Sequence, residues 1–274
     1  MNQTSIEWTH AAGRIGRTWN PTTGCDRVSP GCDHCYAQTM AARLKAMGAR
    51  AYQSDGDPRT SGPGFALTLH PERLQAPLQW RKPSLVFVNS MSDLFHAKVP
   101  FEFVERVWDV MARTPQHTYQ ILTKRPDRMA RFAARLPALP NVWLGTSVED
   151  QERVGRANYL RWPSLAAYPV RFLSVEPLLG PVDLEEVLWD QPLAREINDV
   201  RPRSHAVQWV IVGGESGPGA RPCNENWIRE LRDQCLAAGV AFFLKQKGGH
   251  PDKRGHDKAL LDGRLWREMP EVAA

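Results

Sequence analysis

Three of the five cysteines fall close together, in the segment Cys25-Asp-Arg-Val-Ser-Pro-Gly-Cys32-Asp-His-Cys35. The Pro30-Gly31 pair predicts a turn that returns Cys32 toward Cys25. Two residues between Cys32 and Cys35 are enough for both sulfurs to face one metal centre. Three thiolates supply three of the four ligands of a [4Fe–4S] cluster and leave one iron open to the oxygen and nitrogen of a small molecule. Zinc is the rival, with His34 or a more distant histidine as fourth ligand. Three uncoordinated thiols are the third reading. Cys235 lies within a helical apolar pattern and reads as core, whereas Cys223 follows a strand and loop and is placed either to face the site or simply to pack. An odd cysteine total with three clustered is no secreted disulfide framework; it points to metal binding in a reducing cytoplasm.

The other chemically useful residues follow short apolar runs. Asn89, Ser90, Ser92 and Asp93 follow Leu85–Val88, and Thr123, Lys124 and Arg125 follow Tyr119–Leu122. Ser147 and Glu149 follow Val142–Leu144, and Ser174 and Glu176 end the run from Val170. Gly213, Gly214 and Glu215 follow Gln208–Val212, and Lys245 and Lys247 follow Ala241–Leu244. In a β/α barrel these positions share the C-terminal face, where sites are built. Each residue also has a plainer reading. Asp93 or Glu149 suits a helix cap, Gly213-Gly214 suits a tight turn, and Lys124 or Arg125 suits an ion pair with Glu149 or Glu176.

The elements that would position these residues alternate. The apolar runs suit strands buried on both faces, as in a parallel sheet, with one more strand near Arg17–Asn20. Helical patterns lie at 34–47, 101–113, 126–136 and 224–238. Pro126 opens the third, Asn224 caps the fourth and Gly239 ends it. The expected fold class is α/β, a partial or irregular β/α (TIM-like) barrel of about six or seven parallel strands, with an open doubly wound sheet as the alternative. One domain over 1–274 is expected, with a loop excursion at 49–82, a polar interruption at 191–206 and a polar C-terminal extension at 248–274.

Composition bounds the function. The net charge of +5 permits an anionic partner such as nucleic acid. The basic residues in or near strand-end loops are Arg27, Arg125, Arg128, Arg221, Lys245 and Lys247, candidate phosphate contacts or ordinary surface charge. Ten tryptophans read first as core or rim, and second as platforms for bases. No apolar stretch is long enough to span a membrane, and the polar segment Met1–His10 is no secretory signal. A cytoplasmic location is expected.

Three cysteines after the first strand of an incomplete β/α barrel resemble the radical S-adenosylmethionine superfamily, with CxxxxxxCxxC here in place of the usual CxxxCxxC. A closer resemblance covers nearly the whole chain. Ser5-Ile-Glu-Trp-Thr9, Thr18-Trp-Asn-Pro21, Val28–Ala37 and Gly213-Gly-Glu-Ser-Gly217 are similar to a phage-associated three-cysteine family treated as radical-SAM-like. The resemblance implies a [4Fe–4S] cluster on Cys25, Cys32 and Cys35, S-adenosylmethionine as cofactor, and an electron donor such as a flavodoxin or ferredoxin. It also implies a 5′-deoxyadenosyl radical acting on a nucleic-acid base or nucleotide-like substrate. Lys124 or Arg125 would then meet the methionyl carboxylate, Glu149, Glu176 or Ser147 the ribose or amine, and backbone near Gly213 the adenine. The alternative from another class is a non-catalytic metal-binding nucleic-acid module.

Overall fold

The computed structural model describes residues 3–11, 13–189 and 205–271. Contacts divide the chain into two compact units, Met1–Trp143 and Leu144–Ala274, and each is described by itself. The expected polar interruption at 191–206 lies outside the described residues, apart from its last two positions.

In the first unit, β1 (Ile15–Trp19) pairs in parallel with β2 (Ser84–Val88), from Ile15 opposite Ser84 to Trp19 opposite Val88. β2 pairs in parallel with β3 (Thr118–Thr123). Every residue of β2 is buried, as a run without polar alternation requires. Helix α1 (Tyr36–Ala46) follows the cysteine loop and buries only Ala37 and Ala41. Helix α2 (Phe101–Ala112) buries Phe103, Val104, Val107, Trp108 and Met111, the stripe its spacing predicts. Burying each such side chain contributes about 1.5–3 kcal/mol before the entropy of ordering is subtracted. Helix α3 (Pro126–Ala133) begins on its proline. The 49–82 excursion holds short 3-10 turns and a two-residue strand, Thr68–Leu69, antiparallel to Thr22–Thr23.

Strand β4 (Val142–Ser147) runs across the boundary into the second unit. There β5 (Val170–Val175), β6 (Trp209–Gly213) and β7 (Ala241–Gln246) are parallel neighbours. After β4 the chain forms a 3-10 run, Gln151–Arg161, capped by the Asp150 side chain on the Arg153 amide, where the sequence pattern gave no element. Helix α4 (Glu225–Ala238) is capped by the Asn224 side chain and ends on left-handed Gly239, as expected. The C-terminal extension folds back. It forms a small antiparallel pair, Leu260–Leu261 with Arg264–Leu265, and the Leu244 amide donates to Trp266 O at 2.8 Å.

The seven strands form one sheet whose order follows the chain, β1 through β7. A doubly wound sheet would reverse direction part-way. The fold is mixed α/β, with the strand order of a partial β/α barrel. Among the described residues no helix is long and apolar enough to cross a membrane.

Candidate functional site

The cysteine loop is built by contacts from distant parts of the first unit. Gly24 has φ +83°, and a Cβ there would sit 2.1 Å from Ala66 O, so the backbone entering Cys25 requires glycine. The Gly24 amide donates to Met91 O at 3.0 Å, and Ser92 Oγ donates to Gly24 O at 2.6 Å. Asn89, itself at φ 61°, donates from Nδ2 to Thr22 Oγ1 at 2.9 Å and accepts from the Thr22 amide at 3.3 Å. Ser90 hydrogen-bonds Asn20. Asn89, Ser90 and Ser92, expected as cofactor contacts, thus hold the segment that carries the cysteines.

The expected turn is a 3-10 turn, Pro30–Cys32, with the Cys32 amide donating to Ser29 O at 2.9 Å. Cys35 caps α1. Cys25 and Cys35 pack against one apolar cluster that includes Ala37, Ala41, Phe65 and Met91. Burial pushes the Cys25 thiol up to about 12, the Asp93 charge adds to this, and Arg125 opposes it. Burial also raises Cys35, against the amides at the start of α1.

Asp93 and Arg125 form the polar centre beside the loop. Asp93 accepts from Thr123 Oγ1 at 2.7 Å, from the Phe95 amide at 2.9 Å, from the Lys124 amide at 3.2 Å and from Arg125 Nη1 at 2.8 Å. Arg125 Nη1 also donates to Cys25 Sγ at 3.4 Å, and Nη2 donates to Asp26 O at 2.9 Å. The Asp26 carboxylate meets His96 Nε2 at 3.0 Å. His96 Nδ1 accepts from the Lys98 amide, so Nε2 carries the proton. Burial alone would raise Asp26, but hydrogen bonds from Thr60 and His96 outweigh it and hold the carboxyl below its usual range.

In the second unit the strand-end carboxylates each hold a cation. Glu149, fully buried, pairs with Arg156 at 2.8 Å, and Arg156 also donates to Ser147 O. Glu176 accepts from Lys245 Nζ at 2.6 Å. Glu215 accepts from the Arg221 amide, Nε and Nη2 at 2.6–2.9 Å. Buried Ser174 accepts from the Val148 amide through its carbonyl. A Cβ at Gly213 would press on the Glu176 carboxyl at 3.1 Å, and one at Gly214 would lie 2.2 Å from Lys247 O. Lys247 pairs with Glu225 at 2.9 Å. Cys223 is half-buried, its thiol pushed up to about 11 by burial. Cys235 is core, as expected.

A family model described as "Protein of unknown function (DUF5131)" matches residues 3–270. The chain belongs to the DUF5131 family. No curated protein and no solved structure matches it.

The donors of this DUF5131 chain bear on what the loop would hold. Among the described residues no group of three or more His, Cys, Asp or Glu side chains is placed to hold a metal ion. His34, the candidate zinc ligand, is exposed. The loop offers three thiols as donors, with Arg125 donating to the Cys25 sulfur and the Lys124 charge acting on Cys35.

The six candidate phosphate contacts are engaged within the DUF5131 fold. Arg27 pairs with Asp33, Arg125 with Asp93, Arg221 with Glu215, Lys245 with Glu176 and Lys247 with Glu225. Arg128 donates to Val99 O and lies over Phe132. Trp8, Trp19, Trp108, Trp143, Trp209 and Trp266 are buried, which is the core reading of these rings. Sequence reasoning missed Asp26, His96 and Gly24. The local pattern around Gly24 and His96 gave no sign of their partners, although Asp26 adjoins a candidate ligand.

Proposed function

We propose that this DUF5131 protein is a radical S-adenosylmethionine enzyme whose Cys25, Cys32 and Cys35 hold a [4Fe–4S] cluster. The observation that supports the reading is the loop itself. Three thiols follow β1 on one loop, two of them packed on one apolar cluster, and a guanidinium donates to Cys25 Sγ. When bound, the cluster and S-adenosylmethionine would supply reductive cleavage of the sulfonium carbon–sulfur bond and a 5′-deoxyadenosyl radical that takes hydrogen from the substrate.

The chain's own residues do the positioning. Asn89, Ser90 and Ser92 fix the loop backbone, and Asp93 fixes the end of β3 through Thr123 and Arg125. Lys124 is the side chain we assign to a carboxylate on the cofactor, because Arg125 is committed to Asp93, Cys25 and Asp26. Within the second unit, Glu176, Ser147 and the backbone at Gly213-Gly214 are candidates for hydroxyls and ring edges of a ligand. An electron donor such as a flavodoxin or ferredoxin is the proposed partner, and a reducing cytoplasm the proposed compartment.

Nucleic acid is the substrate class we retain, on the net charge of +5 and the resemblance to a phage-associated family. Four of its candidate phosphate contacts, Arg27, Arg221, Lys245 and Lys247, would have to exchange a carboxylate for a phosphate, and binding through them should weaken steeply with salt. The test is anaerobic reconstitution with iron and sulfide. About four irons per chain, lost in Cys25→Ala, Cys32→Ala or Cys35→Ala and retained in Cys235→Ala, are expected. Stoichiometric zinc without iron would overturn the reading in favour of a metal-binding module.

A further inference from the structure

We propose that Arg125 is a positioning residue that ties the Cys25 sulfur to the end of β3 and raises the reduction potential of the cluster bound there. The inference rests on the cluster reading above. It assigns Arg125 a role toward the protein's own sulfur and removes it from cofactor-carboxylate binding.

Three contacts carry it. One guanidinium nitrogen, Nη1, donates both to Asp93 Oδ2 at 2.8 Å and to Cys25 Sγ at 3.4 Å. The other, Nη2, donates to Asp26 O at 2.9 Å, the carbonyl next to the cysteine. The side chain is only 12% exposed and that of Asp93 only 7%, so neither is free to swing into solvent. The Arg125 amide donates to Thr123 Oγ1 at 2.9 Å, which in turn donates to Asp93. The backbone leaving β3, the carboxylate and the guanidinium are therefore locked as a unit against the first ligand of the loop. An arginine fork suits this task because its donors are fixed in one plane and hold three separate acceptors in a set geometry, whereas a lysine ammonium is a compact point charge on a flexible stem.

The electrostatic consequence follows from the charges. One-electron reduction adds one negative charge beside Cys25, the reductant losing one electron and no bond on the protein changing. A fixed cation with an N–H on the ligand sulfur stabilises that added charge, and hydrogen bonds to ligating sulfur are among the levers that set cluster potentials. Asp93 opposes the effect while holding Arg125 in place. The two members of one ion pair therefore act with opposite sign on the potential.

The experiment is a dithionite titration, read by electron paramagnetic resonance, of reconstituted wild type, Arg125→Gln, Arg125→Lys and Asp93→Asn. Iron content is measured on each sample. Hydrogen exchange over residues 24–35 is followed in the metal-free proteins. Arg125→Gln should retain iron on its three cysteines, shift the midpoint to more negative values and speed exchange in the loop. Arg125→Lys should shift it less, and Asp93→Asn should shift it to more positive values. A purely structural role would lower iron content while leaving the midpoint of the loaded fraction unmoved; that result, or shifts of the same sign in Arg125→Gln and Asp93→Asn, overturns the proposal. Should Arg125→Gln fail to fold, Arg125→Lys and Asp93→Asn still give the comparison of sign. Wild type that takes up no iron removes the cluster reading and this inference with it, whereas iron uptake with unmoved potentials removes this inference alone.

Discussion

Replacing Gly214 with alanine should unlock the end of β6 from the end of β7. The new Cβ would lie 2.2 Å from Lys247 O, 2.7 Å from Lys247 C and 2.9 Å from Cys223 Cβ. A carbon and a carbonyl oxygen stay about 3.3 Å or more apart, so the two backbones must separate by about 1 Å. They are joined there by the Gly214 amide on Gln246 O at 3.0 Å and by Gln246 Nε2 on Gly214 O at 2.9 Å. A 1 Å separation takes both beyond hydrogen-bonding range. Two lost bonds cost about 0.5–1.5 kcal/mol each and overpacking about 1–3 kcal/mol, roughly 2–6 kcal/mol together. For a chain of this size that lowers Tm by on the order of 10 °C. Gly155→Ala is the control. Its Cβ meets nothing within 4 Å and its φ is not left-handed, so stability should change by less than about 1 kcal/mol. Thermal unfolding by circular dichroism compares the two. A Gly214→Ala protein as stable as Gly155→Ala would refute the argument that close backbone approach is why glycine stands there.

Other outcomes follow from the same contacts. Asp93→Ala and Arg125→Ala should each destabilise the metal-free protein by about 3–5 kcal/mol, because each leaves a partly buried charge without its partner. In urea denaturation the double variant should cost less than the sum, and strict additivity would deny that the two act as a pair. Burial lowers the pKa of His70 and of His117, so each binds a proton less readily folded than unfolded. Stability contributed by their neutral forms is complete above about pH 6.5 and is lost as pH falls below it, by at most about 1.4 kcal/mol per pH unit for each histidine. Urea midpoints at pH 7.5 and 5.5 check this, and a midpoint that rises on acidification would contradict it. Lys124→Ala should weaken S-adenosylmethionine binding roughly ten- to a hundred-fold, the loss of one charge-assisted contact, with iron content unchanged in the same samples.

What the sequence made legible was local. The parallel strands showed as apolar runs without alternation, and α4 was bounded by Asn224 and Gly239 because capping is decided within a few residues. The Pro30-Gly31 turn was legible for the same reason. The 3-10 run at Gln151–Arg161 was not, since its buried residues, Ala157 and Leu160, form no helical stripe. Long-range pairings were also hidden. Gly24 needs to be glycine because of Ala66, and Asn89 adopts a positive φ while its side chain meets Thr22. Neither partner is visible from the residue's neighbours. The strand-end polar set was visible as a set, but the partners of its members were not. Asp93 takes Arg125, Glu176 takes Lys245 and Lys247 takes Glu225, because half-buried charge is stable only when paired. That pairing is also why basic residues that read as phosphate contacts in the sequence sit against carboxylates in the fold.

Cleavage of S-adenosylmethionine tests the central claim most directly. Iron-loaded protein, reduced anaerobically with dithionite and supplied with S-adenosylmethionine, should form 5′-deoxyadenosine in amounts that depend on the reductant. The Cys32→Ala protein treated identically should form none. Wild-type protein that carries a reducible cluster yet yields no more 5′-deoxyadenosine than Cys32→Ala would contradict the assignment.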